Sequence, residues 1–78
     1  MAEDRIRLKD LLKKDLVFVR EYGNFYYIRP KPKSEFDELV WKVNKDTGIG
    51  VPIHLIDYFD VHDKAKDVNV KKLYMLIK

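Results

Sequence analysis

The chain has 78 residues, 46% of them apolar, ten aromatics, a net charge of +3 and no cysteine. A chain of this size makes one domain that buries about 60% of its unfolded surface, and its apolar content favours a packed core over disorder. Without cysteine there is neither a disulfide framework nor a thiolate metal site, so the core must hold the fold by itself.

The small net charge hides a segregation. Residues 1–33 carry nine Lys/Arg and five Asp/Glu, whereas residues 34–67 carry four Lys and eight Asp/Glu. Asymmetry of this kind can mark binding surfaces, although a fold often interleaves such segments into a mixed solvated surface.

The N-terminal Met-Ala-Glu-Asp-Arg carries acids and lacks the apolar run of a signal peptide. The longest apolar run, Leu73 to Ile77, is far too short to span a bilayer. The sequence therefore reads as cytoplasmic, with no membrane partner. Leu8, Leu11 and Leu12 have the i, i+3, i+4 spacing of a helix, although Arg5 to Lys9 also alternates like a strand. A short helix through Lys14 is expected, with Asp10 able to cap it.

Leu16 to Arg20 is rich in β-branched and aromatic residues and predicts a strand. Tyr22-Gly23-Asn24 supplies a tight turn, and Phe25 to Arg29 the returning strand. Pro30 and Pro32 end that strand and stiffen the connection toward Asp37. A second hairpin spans Leu39 to Ile53. Leu39, Trp41 and Val43 alternate with Val40, Lys42 and Asn44, and Ile49, Val51 and Ile53 resume the apolar alternation. Asn44 can bond the turn amides through its side chain, and Gly48 suits a left-handed closing position.

Beyond Ile53 the period becomes helical. Leu55, Tyr58, Phe59, His62 and Ala65 gather on one side, and Asp57, Asp60, Asp63 and Asp67 on the other. This predicts an amphipathic helix over residues 54–66, with an acidic outer face and an Asp60–Lys64 pair. The last segment fits either state: Val70, Leu73, Tyr74 and Ile77 have helical spacing, while Leu73, Met75 and Ile77 alternate as in a strand.

The expected fold is a single α+β domain over residues 1–78. A mainly antiparallel sheet of about four strands, built from two hairpins, carries the 54–66 helix on one face, with the terminal segments at its edges. Trp41 and Val43 should face that helix. The expected core is Leu16, Phe18, Tyr26, Ile28, Leu39, Trp41, Val43, Val51, Ile53, Leu55, Phe59, His62 and Leu73.

Chemistry has few footholds in this sequence. On a helix, His54 and His62 would stand about 12 Å apart, too far to share one metal ion, and His62 would point into the core. The acids lack the spacing and terminal glutamate of a calcium loop. Ser34 and Thr47 sit in a loop and a turn with no predicted base beside them. Gly48-Ile49-Gly50 lacks the third glycine and the strand–helix setting of a phosphate-binding fingerprint. The expectation is a protein that is not an enzyme and uses no metal or cofactor.

Two binding readings remain. The first is an interaction domain that docks another protein on the acidic face of Asp57, Asp60, Asp63 and Asp67. The second is a nucleic-acid-binding module in which Tyr22 and Tyr27 stack bases while Arg20, Arg29, Lys31 and Lys33 neutralise phosphates. No RNP motif, GXXG loop or helix-turn-helix pattern accompanies the second. The apolar C-terminal segment is compatible with a core element or with the seam of a homo-oligomer.

Overall fold

The computed structural model describes residues 5–76. Its elements are β1 (Ile6–Arg7), α1 (Leu8–Leu11), β2 (Leu16–Tyr22), β3 (Phe25–Pro30), β4 (Leu39–Asn44), β5 (Ile49–His54), α2 (Leu55–Tyr58), β6 (Lys66–Asp67) and α3 (Val70–Leu76). The six strands form one sheet in the order β1-β5-β4-β3-β2-β6, and every neighbouring pair is antiparallel. The class is α+β as expected. The sheet is larger than four strands because a two-residue strand is added at each edge.

Both turns form for the local reasons visible in the sequence. In the first, Gly23 adopts φ 61° between the paired Tyr22 and Phe25, whereas no non-glycine residue among those described takes a positive φ. In the second, Asn44 Oδ1 accepts the backbone N–H groups of Asp46 (2.7 Å) and Thr47 (3.2 Å), and Gly48 closes the loop at φ 71°.

Register then assigns the faces, and it differs from the expected one. Trp41 lies opposite Pro52, and Val43 opposite Gly50. Cross-strand partners share a face, so Ile53 points to the side opposite Trp41, with Val40. Val40, on the side read as polar, is completely buried, whereas Val51 is 40% exposed. Position 50 is crowded: a Cβ there would lie 3.0 Å from Val43 Cγ2 and 3.2 Å from Ile6 Cγ2, so a side chain would need those methyls to shift.

The sheet is consequently covered on both faces. On one, Val19, Ile28 and Val43 pack with Leu8, Leu11, Leu12 and Leu73 from α1 and α3 and their flanks; Trp41 and Tyr26 pack against the margin. On the other, Tyr27 and Val40 pack with Tyr58 of α2, bordered by Phe18, Ile53, Leu55, Val61 and Ala65. Trp41 and Val43 thus face α1 and α3 rather than the segment after β5. An irregularity between Leu16 and Phe18 in β2 leaves Val17 as an extra, exposed residue. It lets Leu16 and Val19 join one cluster while Phe18 joins the other.

Two helical expectations change, and the open C-terminal one is decided. The N-terminal helix is one turn and does not reach Lys14; Arg7 takes the cap position, and Ile6–Arg7 pairs with β5 as a strand. The helix expected over 54–66 ends at Tyr58 and is followed by turns through Lys64. A thirteen-residue helix would carry the chain about 20 Å in one direction, but Lys66 and Asp67 must return to pair with Glu21 and Arg20 of β2. Asp and Val at 57, 60, 61 and 63 are weak helix formers that oppose this return little. The two-way C-terminal segment is helical over Val70–Leu76. Asn69 caps it by accepting the Lys71 N–H at 3.0 Å, and the Tyr74 hydroxyl donates to Leu12 O at 2.8 Å. Ile77, part of that expected pattern, and residues 1–4 lie outside the described residues.

Among the described residues, no helix is long and apolar enough to cross a membrane.

Val40 separates the two hairpin registers experimentally. Val40→Thr places an unpartnered hydroxyl in the closed interior and is expected to cost about 1–3 kcal/mol, measured by urea unfolding. Val51→Thr should change stability by less than about 0.5 kcal/mol. A loss at Val51 with a negligible effect at Val40 would favour the register read from the alternation alone.

Candidate functional site

The single turn of α2 stands out from its sheet face on one buried side chain. Tyr58 is 2% exposed, its ring stacked on Phe18 at 5.0 Å and tilted against Tyr27 at 5.6 Å. Its hydroxyl accepts from Arg20 Nη1 at 2.8 Å, and Arg20 Nε donates to Asp67 at 3.1 Å, so one guanidinium joins α2 to β6. At the start of the turn His54 Nδ1 accepts the Ile56 N–H at 3.2 Å. That leaves Nε2 to carry the proton toward Glu38, 2.9 Å away.

With Tyr58 turned inward, its neighbours turn outward. Ile56 is 63% exposed and Phe59 52%. Three positions apart, they share one side of the turn. Asp57, Asp60 and Asp63 are all exposed around them. Phe36, 83% exposed, lies on the adjoining 31–38 loop and lines a shallow depression together with His54 and Asp57. That loop is pinned from within. Asp37 accepts the backbone N–H groups of Lys33 (3.2 Å) and Leu39 (3.1 Å), and Arg29 Nη2 donates to the Asp37 carbonyl at 3.0 Å.

The four expected acids therefore do not form one helical row. Asp57 is in α2, Asp60 and Asp63 are in the turns after it, and Asp67 is in β6 bonded to Arg20. No ion pair joins Asp60 to Lys64. His62, expected in the core, keeps 41% of its side chain exposed; Nδ1 contacts Phe59 O at 2.8 Å and Nε2 lies 3.0 Å from Asp63. Phe59 is likewise outside the core.

The basic-aromatic set is dispersed. Tyr27 is buried and cannot stack a base, and burial pushes its phenol up from the ordinary value. Arg20 and Arg29 are bonded inside the fold, and Arg29 Nη1 is buried without a protein acceptor. Tyr22 is half-exposed at the hairpin tip, roughly 20 Å along β3 from the Lys31–Lys33 loop at the strand rise of about 3.4 Å per residue. Lys31 and Lys33 instead join two residues absent from the sequence-derived set, Lys13 and Lys14, around a groove of about 570 Å³. Leu39, Trp41, Pro30 and Pro32 supply its apolar lining, and Asp15 and Asp37 also border it. The Lys13-Lys14 dipeptide was the available signal, but nothing in the sequence placed it beside residue 31.

Among the described residues, no group of three or more His, Cys, Asp or Glu is placed to hold a metal ion. Compared with protein-family models, curated proteins and solved structures, the chain matches none.

Two carboxylates couple the fold to pH. A hydrogen bond of 2.6 Å from Lys45 holds the Glu21 carboxyl below its ordinary value, and the backbone N–H groups of Lys33 and Leu39 do the same for Asp37. Groups with depressed folded values contribute stability above their unfolded pKa of about 4, and lose it as pH falls through the folded value. Urea midpoints should therefore decline on acidification from about pH 5 to about pH 3. Lys45→Met removes the cause at Glu21 and should flatten that decline. An unchanged pH slope in the variant would count against the Glu21–Lys45 pair as a contributor.

Proposed function

We propose that this protein is a non-enzymatic interaction domain that docks another protein on the α2 knob. The observation that carries the reading is the outward projection of Ile56 and Phe59 from a single turn anchored by Tyr58. Apolar side chains grouped on a surface and rimmed by charge are characteristic of protein-binding sites. The apolar pair would supply the contact energy. Asp57, Asp60 and Asp63 would select a partner that presents Lys or Arg around an apolar centre, chiefly by steering and orientation. A second copy of the chain is one partner of this description, since exposed Tyr74 and Met75 on α3 add further apolar surface.

The nucleic-acid reading draws less support. Its stacking residue Tyr27 is interior, and its two arginines are engaged within the fold.

Affinity capture tests the proposal. Ile56→Ser/Phe59→Ser and the triple Asp57/Asp60/Asp63→Asn variants should each lose a partner recovered by the wild type. Their urea midpoints should stay unchanged, because the substituted positions are exposed. Recovery of every partner by both variants would remove the knob from consideration. Sedimentation over a range of concentrations identifies a second copy as the partner.

A further inference from the structure

We infer that the groove between residues 13–15 and 30–33 is a second binding site, separate from the α2 knob, and that it takes an extended acidic segment of a partner protein. Lys13 and Lys14 line one side and Lys31 and Lys33 the other. The two sides are held together by the backbone: Lys31 N–H donates to Asp15 O at 2.8 Å, and Leu16 pairs with Pro30. The frame that carries the lysines is therefore fixed before any ligand arrives, which lowers the ordering cost of binding.

The positive charge is largely uncommitted. Lys14, Lys31 and Lys33 make no side-chain ion pair among the described residues. Lys13 has one long contact, 3.8 Å to the exposed Asp10. Asp37 borders the groove, but its carboxylate is directed to the N–H groups of Lys33 and Leu39. Spacing adds to charge. Lys31 and Lys33 flank Pro32, and alternate residues of an extended proline-containing segment lie about 6 Å apart. Alternate side chains of an extended peptide repeat at about 6.6 Å, so carboxylates at positions i and i+2 fall within reach of the two long lysine side chains. Leu39 and Trp41 give the intervening apolar side chains a surface to cover.

A nucleic-acid strand fits the same lysines less well. Its phosphates bring no apolar group to the Pro30, Pro32 and Leu39 lining. The Trp41 ring packs against the α1/α3 core cluster and does not stand free for a base to stack on.

Trp41 is the only tryptophan in the chain, so its emission reports on this groove. The experiment titrates the full chain with a short peptide of alternating Glu and Leu and, separately, with single-stranded DNA of equal charge. Trp41 fluorescence and the anisotropy of the labelled probe are read together. The peptide is expected to shift Trp41 emission and to bind at least about tenfold more weakly when salt is raised from about 20 mM to about 300 mM. Lys14→Glu/Lys33→Glu should reduce peptide affinity at least about tenfold, and Lys14→Gln/Lys33→Gln should do so to a smaller degree. Lys71→Glu, on α3, should leave binding intact, as should Ile56→Ser/Phe59→Ser, which separates this site from the knob. Tighter binding of the DNA than of the peptide would overturn the assignment. Absence of peptide binding, or full affinity in the Lys14/Lys33 variants with unchanged unfolding midpoints, would overturn it as well.

Discussion

The pairing of Val43 with Gly50 fixes the sides of the β4–β5 hairpin, and the rest of the sheet follows from it. These partners are seven positions apart. Residues opposite one another share a face, so an odd separation sends the odd-numbered side chains of β4 and β5 to opposite faces. Leu39, Trp41 and Val43 go one way; Ile49, Val51 and Ile53 go the other. One hairpin thereby gives apolar side chains to both faces of the sheet, and both faces need cover.

The chain covers them unequally. The Val19–Ile28–Val43 face receives α1 and α3, tied to each other by the Tyr74–Leu12 hydrogen bond. The Tyr27–Val40 face receives only one helical turn and the turns after it, held by Tyr58 between Phe18 and Tyr27 and by the Arg20 link to Asp67. A single turn has too few positions to bury every apolar residue it carries. Ile56 and Phe59 face outward because Tyr58 and Leu55 face inward, so the exposed apolar pair follows from how that face is closed.

Charge follows the same logic. From the acidic middle of the sequence, Asp57, Asp60 and Asp63 lie in and just after α2, while Asp46 is in the β4–β5 turn and Asp67 is bonded to Arg20. The basic early half is divided: Arg20 and Arg29 are drawn into structural bonds, while Lys13, Lys14, Lys31 and Lys33 converge on the groove. Segregation along the chain is thus only partly segregation in space, and antiparallel pairing of β2 with β3 is what brings residues 13–15 next to residues 30–33.

The sequence by itself determined whatever depends on neighbours in the chain: the two hairpins, the roles of Gly23, Asn44 and Gly48, the leucine spacing of α1, and the α+β class. Each rests on backbone geometry or on side-chain bonds across a few residues, which local composition specifies. Only the tertiary structure decided the face of Val40, the end of α2 at Tyr58, the inward position of Tyr27 and the company of Lys13 and Lys14. The hairpin register turns on a single residue of loop length, which alternation does not count. The helical pattern after Ile53 is real, but the pull of Lys66 and Asp67 into the sheet outweighs it, because strand pairing is made with residues more than forty positions away.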